Sequence, residues 1–286
     1  MSLPVPLDSA AARSCVAAAL EEDLGARGDV TTRATIVSGR RARARFEARE
    51  AMVVAGLPVA AEVFRAIDPG VRFDARVVEG EAVPAGTVIA VAEGGATALL
   101  EGERSALNFL QRMSGIATAT RAAVDEVAGT GASILDTRKT APGLRKLDKY
   151  AVAVGGGTNH RFGLYDAAMI KDTHLAAAGG LAEAIRACLR AGLPPHAVTA
   201  EVRTEGELRE AIEAGAGRAL LDNMGLQALA ACVAIGKGRI VLEASGGLRP
   251  GALRAVALTG VDCLSLGYLT HSVRAADLAM DLEAIP

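Results

Sequence analysis

The densest chemistry in the chain lies between Asp136 and His174, in DTRKTAPGLRKLDKYAVAVGGGTNHRFGLYDAAMIKDTH. This window holds Arg138, Lys139, Arg145, Lys146, Lys149, Arg161 and Lys171 against four aspartates, together with His160 and His174. A pocket built from these residues is cationic. Its natural ligands are carboxylates and phosphates, because hydrogen bonds assisted by Arg or Lys charge are the strong ones. Lysine usage sharpens the point. Of 31 basic residues only five are lysine, and Lys139, Lys146, Lys149 and Lys171 fall between 139 and 171, with Lys237 outside. An ammonium is a compact point charge that approaches an anion from any side, and arginine does not always replace it. Chance clustering on a solvated face is the competing reading. The triple glycine Gly155–Gly157 is expected to let backbone N–H groups approach an anion, although a GGG alone is usually an ordinary turn.

Three further features point the same way. ASGGL (244–248) follows a predicted strand and precedes a predicted helix, where glycine-exposed amides form a phosphate site. SLGYLTHS (265–272) ends the next strand, and βα barrels often hold a phosphate between the loops after their last two strands. Glu201 and Asp222 are expected at strand ends, where two acids beside a phosphate site suggest magnesium carried in by a phosphorylated substrate. The plainer reading of Asp222 is a cap for the following helix. The combination describes a site for one polyanion with magnesium and a second ligand bearing carboxylates.

The elements that must position these residues follow from hydrophobic pattern. A helix is expected over 8–24, capped by Asp8 or Ser9 and ended by Gly25. RARARFEAR (41–49) alternates, with Ala42, Ala44, Phe46 and Ala48 on one side, as in a half-exposed antiparallel strand. A short helix over 57–67 and strands over 71–78 and 87–92 come next. From about 98 the rhythm changes. Two helices are expected, 98–113 and 115–128, with Gly115 between them. Short apolar runs then alternate with helices: 133–137, 166–174, 198–202, 218–223, 239–245 and 263–267, with helices such as 204–214, 224–234 and 250–259. Repeating βα units imply a parallel sheet covered on both faces. The last four strands recur about 20 residues apart, close to βα-barrel spacing. A doubly wound sheet competes, but it usually carries a Gly-rich loop after its first strand, and none stands in the right place.

Bulk composition narrows the class. A chain of 286 residues suits one large domain or two modest ones. Apolar residues make up 51% and charged residues 22%, with a formal net charge of -2, so nothing suggests a nucleic-acid or membrane partner. No apolar run reaches about 18 residues. The start, MSLPVPLDSAAARS, lacks the pattern of a secretory signal. Cys15, Cys188, Cys232 and Cys263 form no CxxC, argue against zinc, and read as free thiols in a reducing cytoplasm.

DTRKTAPGLR, KYAV, GGGTNHRFGLYDAAMIKDTH, LLDNM, LEASGGL and GVDCLSLGYLTHS closely resemble the quinolinate phosphoribosyltransferase family, also called carboxylating nicotinate-nucleotide pyrophosphorylases. EEDLGARGDVTT (21–32) and ERSALNFLQRMSGIAT (103–118) fit the same family, so the likeness spans nearly the whole chain. The resemblance implies an α/β protein. Its N-terminal α/β sandwich domain would span 1–113, with the tail 272–286 able to rejoin it. Its C-terminal incomplete α/β barrel, TIM-like and of phosphoribosyltransferase type II, would span 114–271. It implies a cytoplasmic pentosyltransferase of NAD biosynthesis, a homodimer or hexamer, that converts quinolinate and phosphoribosyl pyrophosphate to nicotinate mononucleotide, pyrophosphate and carbon dioxide.

It also implies roles. Arg138, Arg161, His160 and Lys171 would hold the quinolinate carboxylates, with Arg104 reaching across from the neighbouring subunit. Lys139 and Lys171 would touch phosphoribosyl pyrophosphate, and Lys139, Glu201 and Asp222 would be catalytic. Glu201 and Asp222 would meet Mg2+ indirectly, through the pyrophosphate. Ser245, Gly246, Gly247, Gly267 and Tyr268 would cradle the 5′-phosphate, with Thr137, Leu266 and His271 also lining the substrate sites. His174 and His271 serve equally well as structural histidines. The sequence departs from the family where acids often alternate: the run is Thr199-Ala200-Glu201-Val202-Arg203, with one acid left. A sister enzyme encoded with molybdate transporters, a nicotinate-using phosphoribosyltransferase, and a non-catalytic phosphate sensor are the alternatives. The intact TRKTAPGLR and NHRFGLYD segments, the surplus of cations and the Glu201–Asp222 pair weigh against each in turn.

Overall fold

The computed structural model describes residues 6–285. In chain order its strands are β1 (Arg41–Ala48), β2 (Met52–Val53), β3 (Arg72–Ala75), β4 (Ala82–Val83), β5 (Val88–Gly95), β6 (Ser133–Leu135), β7 (Ala168–Ile170), β8 (Val198–Val202), β9 (Arg218–Asp222), β10 (Val241–Ser245), β11 (Cys263–Ser265) and β12 (Leu278–Ile285). Its helices are α1 (Ser9–Leu24), α2 (Val30–Thr35), α3 (Leu57–Ile67), α4 (Ala96–Glu126), α5 (Arg145–Val154), α6 (Asp172–Ala178), α7 (Leu181–Arg190), α8 (Glu205–Ala214), α9 (Leu226–Gly236), α10 (Leu253–Ala257) and α11 (Tyr268–His271). They form two compact units. One comprises the described residues through Arg121, Thr140–Gly156, and those from Leu269 onward; the other comprises Ala122–Lys139 and Gly157–Tyr268.

The first unit is an α/β sandwich. Its antiparallel sheet runs β12-β1-β5-β3. The alternation in RARARFEA has the expected result: Ala42, Ala44, Phe46 and Ala48 are buried and the arginines face out. Phe46, Phe64 and Phe73 cluster with ring centroids 5.8–6.0 Å apart, joining β1, α3 and β3 in one core. On the open face Arg43 pairs with Glu93 at 2.6 Å and Arg49 with Asp281 at 3.0 Å. The C-terminal strand β12 lies antiparallel beside β1, Arg41 opposite Ile285 and Ala48 opposite Leu278. Helix α1 starts with the Asp8 side chain accepting from the Ala11 N–H at 2.9 Å and ends at Gly25, as its sequence predicts.

The second unit carries a parallel sheet ordered β6-β11-β10-β9-β8-β7. Thr158 adds one bridge at Leu135, on the free edge of β6. Among the described residues β6 and β7 share no ladder, so the barrel is incomplete. Register makes the sheet two-faced. Ala200, Val202, Ala219, Leu221, Leu242, Ala244 and Leu264 are buried on one side. The alternate residues of the same strands include Thr199, Glu201, Arg218, Asp222, Glu243, Ser245 and Ser265, with Leu220, Val241 and Cys263 among them. In VLEAS, Leu242 and Ala244 therefore lie on one face and Glu243 and Ser245 on the other, with Val241. No helix among the described residues is long and apolar enough to cross a membrane.

One expected boundary is absent. Residues 98–113 and 115–128 are not two helices but one, α4, which runs from Ala96 to Glu126. Gly115 does not break it. Its missing side chain admits another part of the chain: a Cβ there would lie 2.2 Å from the Arg274 carbonyl oxygen. Backbone approach, not backbone flexibility, accounts for this glycine. Gly115→Ala raises helix propensity by about 1 kcal/mol in isolation, yet here it should lower unfolding free energy by about 1–3 kcal/mol through overpacking. Urea unfolding of the two proteins reads the sign directly.

Candidate active site

The parallel strands end in line, and the chemistry sits at those ends. Thr137, Arg138 and Lys139 follow β6; Leu266, Gly267 and Tyr268 follow β11; Ser245, Gly246 and Gly247 end or follow β10. Asp222 ends β9, Glu201 is next to last on β8, and Lys171 follows β7. Ser245 is in register with both Asp222 and Ser265, and Glu201 with Leu220, so these groups occupy neighbouring positions on one face. Carboxyl ends of parallel strands are where α/β barrels do their chemistry. Arg138, Lys171 and Gly246, which separate stretches of sequence supply, thus share one edge of one sheet.

Beneath this edge lies a buried polar network. Glu243 has no exposed surface. Its carboxylate accepts from the Ser265 hydroxyl and from Arg218 Nε at 2.9 Å, and His160 Nε2 stands 3.3 Å away. The Arg161 N–H donates to His160 Nδ1 at 2.7 Å, which leaves Nε2 to carry the hydrogen toward Glu243. Burial alone would raise the Glu243 pKa; His160, Ser265 and Arg218 outweigh it and hold the carboxyl below its usual range. Burial and the Glu243 charge push the Cys263 thiol the other way, up to about 11, so it is inert. Asp136, also fully buried, accepts from Asn159 Nδ2 at 2.8 Å and from the His160 N–H at 2.7 Å. The two acids clamp the segment 158–161 against the ends of β6 and β10.

That clamp presents two guanidiniums. Arg161 Nη1 donates to the Ala167 carbonyl at 2.7 Å, and burial, with Arg138 close by, lowers Arg161 below its usual range. Two guanidiniums held so near each other favour an anion beside them. On the other side of the line Lys171 Nζ lies 3.6 Å from Glu201 Oε2. Arg203 reaches both acids: its Nε is 3.3 Å from Asp222 Oδ2 and its Nη2 is 3.8 Å from Glu201 Oε1. Asp222 caps nothing. The residue that starts α9 is Gly225, and Asp222 Oδ1 accepts from Asn223 Nδ2 at 2.9 Å. Among the described residues no cluster of three or more His, Cys, Asp or Glu forms a metal cage. Glu201 and Asp222 nevertheless reach one cation together, since the Arg203 guanidinium lies against both. Two carboxylates that converge in this way fit magnesium delivered with its own phosphate oxygens.

Several expectations change. The triple glycine is no anion nest. The Gly155 and Gly156 N–H groups are taken by the Ala151 and Ala153 carbonyls at the end of α5, and a Cβ on Gly155 would lie 2.6 Å from the Ala117 carbonyl. Glycine is needed there for packing against α4. Nor does the helix after ASGGL offer its N-terminus. The helix is only Leu253–Ala257, and Glu126 already accepts from Gly251 N–H at 3.0 Å and Leu253 N–H at 2.7 Å. The loop itself stays special: Gly246 and Gly247 have φ of 96° and 64°, and a Cβ on Gly246 would strike Asn223 Oδ1 at 2.3 Å. The Leu266 N–H is taken by the Leu135 carbonyl at 2.9 Å. Arg145, Lys146 and Lys149 lie on α5 in the first unit, where Lys146 pairs with Asp8 at 2.6 Å and Lys149 is fully buried. Arg104 is exposed on α4 of the same unit. His271, also there, has Nδ1 2.6 Å from Ser272 Oγ, and His174 Nδ1 accepts the Lys171 N–H at 3.0 Å.

Four residues that matter were not expected. Asn223, with φ of 55°, is the one described non-glycine in the left-handed region, and its N–H donates to Ser245 O at 2.9 Å. Its place after Asp222 in LLDN was the available signal. Glu243 stands in LEASGGL without an assigned role, and Arg218 and Arg203 belong to none of the motifs. Glu243 and Arg218 are recognisable as charged residues inside otherwise apolar strands.

The chain is similar to known proteins over most of its length. Residues 29–114 match the N-terminal domain model of quinolinate phosphoribosyl transferase, and residues 116–281 match its C-terminal domain model. The chain is 43% identical to the probable nicotinate-nucleotide pyrophosphorylase [carboxylating] of Bacillus subtilis, covering 91% of this chain and 90% of that protein. It is 40% identical to quinolinate phosphoribosyltransferase [decarboxylating] 1b of Nicotiana tabacum, covering 93% and 80%. The solved nicotinate-nucleotide pyrophosphorylase of Francisella tularensis superposes with a TM-score of 0.90 at 35% identity, covering 98% of each chain.

Replacing Glu243 by Gln would leave the half-buried Arg218 without its counter-charge, at an expected cost of about 1–3 kcal/mol. The Glu243 contribution is complete above its unfolded pKa of 4.5 and is lost as pH falls through its lower folded pKa. The stability gap between wild type and Glu243→Gln should therefore be full at neutral pH and narrow in acid. Melting curves across that range test it; a gap independent of pH would show that Glu243 is not folded as an anion.

Proposed function

The chain belongs to the quinolinate phosphoribosyltransferase family, and from that premise we propose that it joins quinolinate to the phosphoribosyl group of phosphoribosyl pyrophosphate, releasing pyrophosphate and carbon dioxide and forming nicotinate mononucleotide for NAD biosynthesis. One observation carries the reading: paired guanidiniums, paired carboxylates and a glycine loop lie along the carboxyl ends of one parallel sheet. A substrate with two carboxylates needs the first, a phosphorylated sugar with magnesium needs the second, and its 5′-phosphate needs the third.

In this reading Arg138, Arg161, His160 and Lys171 hold quinolinate. Ser245, Gly246, Gly247, Gly267 and Tyr268 hold the 5′-phosphate, with Thr137 and Leu266 alongside. Lys139 and Lys171 neutralise the pyrophosphate. Glu201 and Asp222 would hold magnesium accompanying that pyrophosphate, and the ion would supply charge neutralisation of the leaving group. Arg104, exposed on α4, reaches the site of a neighbouring subunit in a homodimer or larger assembly. The free cysteines suit a reducing cytoplasm.

The chemistry follows from charge. As the bond from the anomeric carbon to pyrophosphate breaks, its electron pair leaves with pyrophosphate and positive charge builds on the ribose. Glu201 and Asp222 stabilise that charge, and Lys139 stabilises the departing anion. The pyridine lone pair then forms the bond to the anomeric carbon. Loss of the 2-carboxylate as carbon dioxide leaves its electron pair on ring carbon 2, beside the positive nitrogen that stabilises it, and a proton taken up there completes the product. That adjacent positive charge means the step calls for no further organic cofactor.

Incubation with quinolinate, phosphoribosyl pyrophosphate and magnesium should yield nicotinate mononucleotide and one equivalent of carbon dioxide from the 2-carboxylate; product without carbon dioxide would sink the reading. Lys139→Ala should melt like wild type but lose about 10²–10³-fold in kcat. Mixing inactive Arg104→Ala with inactive Lys139→Ala should restore turnover, because one site of a mixed dimer is then complete. If no activity returns, Arg104 acts within its own chain.

A further inference from the structure

Arg203 has no place in the reaction so far, yet it sits among its acids. Its Nε lies 3.3 Å from Asp222 Oδ2, and its Nη2 lies 3.2 Å from Asp172 Oδ2 and 3.8 Å from Glu201 Oε1. The burial is asymmetric. Arg203 is 57% exposed, whereas the Glu201 and Asp222 side chains are 12% and 17% exposed. The carboxylates belong to strands and stay where the sheet puts them. The guanidinium rides on a long stem at the solvent edge. Its backbone is anchored, because the Arg203 N–H donates to Glu207 Oε2 at 2.6 Å within the capping box that opens α8. Only the side chain has freedom to depart.

Two carboxylates that converge on one point repel each other unless a cation lies between them. Arg203 and Lys171 offset that repulsion in the ligand-free chain. The same oxygen atoms are those that would meet magnesium. We propose that Arg203 is the resident counter-ion of the Glu201–Asp222 pair, spanning both acids and holding them in place in the free enzyme, and ceding them to a divalent cation that accompanies pyrophosphate. The inference rests on the reading that this site takes a magnesium–pyrophosphate substrate. Arg203 then competes with the metal, and the metal's apparent affinity is lowered by the fraction of molecules in which the guanidinium is seated. Arg203 is a positioning residue: it acts through the two acids.

The test uses the whole protein as wild type, Arg203→Gln and Arg203→Lys, with magnesium pyrophosphate as probe. Melting temperature is recorded in chelator and across a titration of that probe. Magnesium dependence of turnover is measured in parallel. Arg203→Gln should melt below wild type in chelator, gain more on adding the probe, and reach half-response at about 3- to 10-fold less of it. Arg203→Lys, which keeps the charge, should stay near wild type. Superimposable titrations of wild type and Arg203→Gln would overturn the inference, as would no melting response in either protein. A higher requirement in Arg203→Gln would also overturn it, making Arg203 a pyrophosphate ligand instead. If the melting pattern holds while wild type fails to consume quinolinate, the counter-ion stands and the substrate assignment falls.

Discussion

A carboxylate with no exposure at all must be paired, and Glu243 is paired with three different parts of the barrel unit. Arg218 comes from β9, Ser265 from β11 and His160 from the segment between α5 and β7. None of these groups can withdraw without leaving a buried charge or donor unmatched. The consequence is positional. His160 and Arg161 are adjacent in sequence, so whatever fixes the imidazole fixes the guanidinium beside it. Asp136 adds a second buried acid under the same segment, holding Asn159 and the His160 N–H. The cationic side of the site is thus built on an anionic floor.

The acidic side is organised by register. Glu201, Asp222 and Ser245 lie on successive parallel strands, and the ladder sets how far each projects. Beyond the last rung the chain must turn sharply. Asn223 accepts a left-handed conformation, and Gly246 accepts one too while leaving room for the Asn223 side chain. The two turns are mutually dependent, since a side chain at 246 would displace Asn223 and with it a hydrogen bond to Asp222. Cations and acids are therefore held by different devices, buried ion pairs on one side and backbone geometry on the other. Both devices belong to the same sheet.

Glycine shows how far local pattern carries. Gly155–Gly157 and Gly115 look like a nest and a helix break in one dimension. In the fold Gly155 and Gly115 answer to close approach by backbone from distant segments, Ala117 and Arg274. The ASGGL loop has its special conformation for a reason visible in sequence, but the helix after it is already capped by Glu126 from α4. In each case the deciding neighbour is remote in sequence or on another element, and periodicity holds no record of it.

The amino-acid sequence by itself determined the elements and the inventory. Alternation in β1, the capped ends of α1, the βα rhythm after β6, and the motifs around Arg138, Lys139, His160, Arg161, Lys171, Glu201, Asp222 and Gly246 are all read from residue type and spacing, because each depends on neighbours a few positions away. Tertiary structure alone decided which charges meet. Glu243 binds Arg218, Ser265 and His160, Arg203 spans Glu201 and Asp222, and Lys149 is buried rather than presented to solvent. Electrostatic partnership acts through space and over a few ångströms, and one-dimensional spacing does not contain that distance.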